Sequence, residues 1–281
     1  MTSEEKTDAV ATTEEKTDAV AVWKPKEFKG NDLLPLDAAT DLTVEGIPEL
    51  IGRENVDPDD LIVPTLALLH GTSDAVTDGV EGAVPGRFMH TGSEEVLDEG
   101  HLRVIIVHHH KGNALFPKED ERYKDLETCI SPDQVEGTVY GACEECRKCL
   151  DWDDENNKPP LGAQVHHFVA MTSLGPVIIR FSRSSYKAAN KWLSAWTSTK
   201  KYMWTHPTVI RVVQGTKTMA TGDPKKYFML QMAWQTTEKV PAELQLAAYE
   251  LYKNVRDKHE SGHLKSTDEE ASGDGDFDID P

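Results

Sequence analysis

Cys129, Cys143, Cys146 and Cys149 are the four cysteines of a 281-residue chain, and they fall within 21 residues in the pattern C-x13-C-x2-C-x2-C. A C-x2-C step lets two thiolates reach one ion, and the distant Cys129 can close a tetrahedral site, so the spacing reads as metal binding. Gly137 and Gly141 suit a tight turn between the arms. Disulfides are the competing use, but an intracellular chain keeps its thiols reduced. Zinc in a structural role is the expected occupant. An iron–sulfur cluster is the alternative, since C-x2-C-x2-C also begins a ferredoxin ligand run, although the C-x3-C-P continuation is missing. A catalytic zinc keeps an open position beside a general base, and the deaminase pairing of H-x-E with P-C-x-x-C is absent: Ala142, not proline, precedes Cys143. His108, His109, His110, His166 and His167 are alternatives to Cys149 as a ligand, but they read as ordinary strand residues.

A second chemistry is written in charge. The formal net charge is -19, yet residues 161–260 carry +8, while 1–80 carry -12, 81–160 carry -9 and 261–281 carry -6. The densest stretch holds Arg180, Arg183, Lys187, Lys191, Lys200, Lys201, Arg211, Lys217, Lys225 and Lys226 against Asp223 alone. Such an excess repels itself unless the chain's own carboxylates or a polyanionic partner neutralise it. Interleaved rings favour the partner: Phe181, Tyr186, Trp192, Trp196, Tyr202 and Trp204. Cations for phosphates and flat rings for bases are what it takes to hold a single strand without reading its sequence. Trp192 and Trp196 are expected in the core, which leaves Tyr202 and Trp204 as stacking candidates beside Lys200 and Lys201. On a strand Arg180 and Arg183 would face opposite sides. Phe228 and Trp234 share a face, as do Leu230 and Met232, and one set is expected in the core.

The elements that must position these groups are short and β-rich. Arg87–His90, Leu102–His108, Gln164–Met171, Val177–Arg183, Thr208–Val213 and Tyr227–Trp234 read as strands. Ser184 or Ser185 can cap a helix from Tyr186 to Trp196, and Pro241 opens another from Ala242 to about Lys258. The expected fold is mainly β with flanking helices (α+β). It is an OB-like curved antiparallel sheet or barrel over residues 41–258, with a cysteine-knuckle insertion over 116–160. Residues 1–40 carry a tandem repeat, EEKTDAV at Glu4–Val10 and Glu14–Val20, and are expected to form a disordered acidic arm. Residues 259–281 are expected to form a disordered acidic tail.

No apolar run reaches the ~18 residues of a membrane span, and the acidic first twenty residues do not read as a secretory leader. The expectation is a cytoplasmic protein. No P-loop, Gly-x-Ser-x-Gly or spaced carboxylate set is present, so no enzymatic activity is expected.

The strand pattern, the cysteine knuckle after the second strand, the basic–aromatic second half and the acidic Phe/Ile tail together resemble the phage-type single-stranded DNA-binding proteins. Ile62-Val63-Pro64 through Pro85-Gly86-Arg87-Phe88 is similar to the start of such proteins. The resemblance implies a role in DNA replication and recombination in the cytoplasm of a host cell. It also implies that the tail, Asp274, Asp276, Phe277, Asp278, Ile279 and Asp280, recruits replication and recombination proteins. The tail departs from the bacterial pattern by ending Ile-Asp-Pro instead of in an aromatic residue. The oligomeric state is open, a homodimer included. The alternative is a zinc-bearing transcription or polymerase accessory factor, which would bind duplex or polymerase and ignore single strands.

Overall fold

Leu102, Val104, Ile105, Ile106 and Val107 are all buried, so this run is covered on both faces and nucleates the sheet rather than lining one side of it. A computed structural model describes residues 31–32, 62–97, 100–116, 124–155, 158–218, 224–262 and 264. In it the apolar run lies within a 15-residue strand, β5 (His101–Leu115). Before it come β1 (Asn31–Asp32), β2 (Leu66–Leu68), the single turn α1 (Asp74–Thr77), β3 (Phe88–His90) and β4 (Glu95–Leu97). After it come β6 (Cys129–Ser131), β7 (Glu136–Gly137), β8 (Gly141–Ala142) and α2 (Cys143–Cys146). Then follow β9 (Ala163–Thr172), β10 (Gly175–Ser182), α3 (Tyr186–Thr197), β11 (Thr208–Thr218), β12 (Pro224–Trp234) and α4 (Ala242–Glu260).

The main sheet runs β10-β9-β5-β11-β12, every neighbouring pair antiparallel, with β1 and β6 as further partners of β5. β5 serves two half-sheets: His101–Val104 pair with β11 and Ile105–Ala114 with β9. A register shift between Ile106 and His108 bends it at the junction, as a bulge does. Alternation sends Ile106, Phe168, Ile179, Phe181, Ile210 and Leu230 to one face. There Phe168 meets Phe181 and Trp192 edge-on, with ring centroids 5.4 and 5.5 Å apart. α3 covers this face, whereas α4 lies on the other side of β5 and β9.

The sheet does not close into a barrel among the described residues. β10 and β12, the strands that would meet, are separated by the β2-β3-β4 sheet. Ile178 N donates to Pro64 O at 2.8 Å, occupying the edge of β10, and Phe228 of β12 packs over Gly86, where an added Cβ would stand 2.8 Å from its ring. Leu230 N donates to Ser185 Oγ at 2.8 Å across the seam. That bond also corrects the expected cap. Ser185 precedes α3, but its hydroxyl is engaged by β12 and makes no capping bond. Phe228, Leu230, Met232 and Trp234 all share one face by alternation, so the two sets expected on different faces are one. No described helix is long and apolar enough to cross a membrane. The repeat-bearing arm, apart from Asn31–Asp32, and the tail from Lys265 onward lie outside the described residues.

Candidate metal centre and nucleic-acid interface

The cysteine centre is assembled by the connection between β5 and β9. β6 pairs with the end of β5, Leu115 opposite Cys129, which fixes Cys129 beside the sheet. The β7–β8 hairpin then delivers α2, whose single turn carries Cys143 and Cys146. Arg147 ends that turn in a left-handed conformation (φ 49°), held by its Nε on Asp151 Oδ1 at 2.7 Å, and Cys149 follows. Two glycines leave room for sulfur. An added Cβ would stand 2.6 Å from Cys129 Sγ at Gly137, and 2.2 Å from Cys149 Sγ at Gly162.

All four cysteines are free thiols and line one small cavity of about 10 Å³ with Leu115, Ser131, Tyr140 and Lys148. Burial, and then the neighbouring Cys146 and Cys143, push the Cys149 thiol up to about 11. Four unlinked thiols lining one cavity are the donor type that a thiophilic ion takes, with the ion's charge balancing the thiolates as the protons leave. Among the described residues, no group of three or more His, Cys, Asp or Glu side chains is arranged to hold a metal ion, the four cysteines included. The five strand histidines do not line this cavity.

Those histidines divide by face. His109 Nε2 lies 2.8 Å from His166 Nδ1, and His166 Nε2 lies 2.9 Å from Asn190 Oδ1, a polar chain running from the sheet to α3. Burial, then His166, pulls His109 down to about 3, and burial also lowers His166. His108, His110 and His167 point the other way, toward α4. Burial pulls His108 to about 4 and His167 to about 3, with His259 and Arg180 respectively as the next causes, and it lowers His110 further.

The structure distributes the expected nucleic-acid residues over four places. Arg211 on β11 donates from Nε and Nη2 to Gln231 Oε1, at 3.2 and 2.7 Å, on the outer face of the sheet. The β11–β12 hairpin continues to Lys217 opposite Lys225, with Thr216 opposite Lys226. By alternation Lys226 takes the face opposite Arg211; the side chains of Lys217 and Lys225 lie outside the described set. Arg180 and Arg183 line a cleft of about 270 Å³ along the open seam, with Ser182, Ser184, Phe228 and Leu230. The opposite-face expectation fails for this pair because Arg183 lies past the end of β10 in a left-handed conformation (φ 47°). Lys187 and Lys191 are exposed on α3. Lys200, Lys201 and Tyr202 are exposed in the loop after it, where Lys201 Nζ lies 3.2 Å from His206 Nε2. Among the described residues, no carboxylate pairs with Lys187, Lys191 or Lys200.

The rings separate cleanly. Trp192 is core, and Trp196 packs on it as expected. Tyr202 is 68% exposed, but Trp204 is only 7% exposed, enclosed by Tyr202, Tyr249 and Tyr252. Of the two stacking candidates, Tyr202 alone presents a face to solvent.

A family model described as Pam3 phage gp34-like protein matches residues 32–261. No curated protein and no solved structure matches the chain.

Proposed function

The chain belongs to the Pam3 phage gp34-like protein family, and from that premise we propose that it binds single-stranded DNA without sequence preference during phage DNA replication and recombination. The observation that carries this proposal is where the cations lie relative to strand order. β5, β9 and β10 form a meander, α3 follows, and β11 returns to β5 with β12 beyond it. We read these as strands one to five of an OB-like chain path, open between the third and fifth strands. Such folds hold oligonucleotides on the face of strands two and three and between the loops joining strands one to two and four to five. Here those positions correspond to β9–β10 with Arg180, the cysteine-bearing connection, and the Lys217–Lys226 hairpin.

The cysteines would hold zinc as a structural staple of the first of those loops, with no catalytic role. The acidic tail would recruit replication and recombination proteins, and the setting would be the host cytoplasm. Ultraviolet crosslinking of oligo-dT, followed by peptide mapping, tests the placement. Crosslinks are expected on Tyr202 and on the β11–β12 hairpin around Tyr227; crosslinks confined to the β2–β4 segment would refute it. A zinc-bearing transcription or polymerase accessory factor is the competing assignment, and nothing in the arrangement of cations and rings favours it over the single-strand reading.

A further inference from the structure

The outer face of β5 and β9 carries imidazoles that neither the cysteine centre nor the basic surface uses. His110 and His167 are directly opposed in register, and their rings stack with centroids 4.7 Å apart. The last turn of α4 lays His259 over this pair, 4.5 Å from His110 and 5.3 Å from His108, while His108 and His110 are 5.7 Å apart. Three ring nitrogens are buried with no hydrogen-bond partner: His108 Nε2, His110 Nδ1 and His259 Nε2. Each has given up hydration with no hydrogen bond in return, and polar atoms rarely do so in groups unless something joins them. Neutral imidazole, with one free nitrogen lone pair, is the form in which histidine is a ligand.

The geometry points to a second metal site, in which His108, His110 and His259 bind a first-row divalent ion of the zinc or nickel type, with His167 beside them. Imidazole suits these ions. A metal–nitrogen bond of about 2.0–2.1 Å with tetrahedral angles puts ligand ring centroids roughly 5 Å apart, which the three observed separations bracket. As they stand, the three side chains are not arranged to hold an ion, so binding requires the rings to turn, and the orphaned nitrogens have no hydrogen bond to lose in doing so. The ion would staple the last turn of α4, and with it the root of the acidic tail, to the sheet.

The test uses the full chain stripped of metal and reloaded with cobalt(II) or zinc, compared with His259→Gln and His108→Gln. Elemental analysis is expected to find one ion per chain fewer in each variant. Any sulfur-to-cobalt charge-transfer band from the cysteine centre should persist, while the visible bands of a nitrogen-ligated cobalt disappear. Circular dichroism checks that the variants fold, and His259→Gln, at a helix end, is the variant best placed to do so. Equal metal content and unchanged visible bands in wild type and His259→Gln would overturn the proposal, leaving water as the occupant of the cluster.

Discussion

Tyr202 lies flat against Trp204, ring centroids 5.0 Å apart and planes 4° from parallel, so that one buried ring presents a second, exposed ring to solvent. The pair separates two roles that a sequence of adjacent aromatics merges. Tyr202→Ala should weaken oligo-dT binding by about 1–3 kcal/mol, the worth of one stacked base, with little change in stability. Trp204→Ala should cost about 3–5 kcal/mol of folding stability, as large buried aromatics do. Urea denaturation beside an oligonucleotide titration of each variant checks both.

At the cysteine centre, Gly162→Ala places a methyl group in steric clash with Cys149 Sγ. Metal content per chain should fall as it does in Cys129→Ser, although no ligand has been removed. Chelation should lower the melting temperature of the wild type by more than it lowers that of Cys129→Ser, which lacks the cysteine-bound ion. Elemental analysis and thermal denaturation, with and without chelator, make the measurement.

Ser185→Ala removes the acceptor for Leu230 N at the open seam. A buried donor left unpaired costs about 1–3 kcal/mol. The loss should appear in denaturant unfolding, and hydrogen exchange at the Leu230 amide should quicken. A neutral outcome would mean that the β2–β4 sheet alone holds β10 and β12 together.

Much of this was readable in the residues. All six expected strands and both long helices appear, because β-branched runs between Gly and Pro and the spacing of Ala189, Trp192, Leu193 and Trp196 are local signals. What was not readable depended on distant partners. The hydroxyl of Ser185 is diverted from its cap by Leu230, 45 residues away. The expected closure into a barrel is not found among the described residues, where Thr65, at the start of the β2–β4 segment, bridges to Ile178 at the edge of β10. Arg183 joins Arg180 in one cleft through a left-handed backbone that no alternation rule anticipates. The histidines became a cluster only when α4 brought His259 across 149 residues to His110.

Truncation after Leu264, which is buried, removes Lys265–Pro281 and its acidic run. A tethered polyanion competes for a cationic surface at high effective concentration. The shortened chain should therefore bind oligo-dT more tightly at low salt, and its affinity should depend more steeply on salt, since salt no longer relieves competition by the tail. Affinity equal to that of the intact chain would exclude competition by the tail.

The central claim is that the cations and rings of the third quarter of the chain hold an unpaired strand, and titrating tryptophan fluorescence with oligo-dT, oligo-U and duplex DNA at two salt concentrations tests it most directly. Quenching by oligo-dT without quenching by duplex is expected. The log–log salt slope should shrink by about 0.7 for each phosphate contact removed, and so by about 1.4 in the Lys217→Ala/Lys225→Ala double variant. Preferential binding of duplex, or a salt slope that the double variant leaves unchanged, would contradict it.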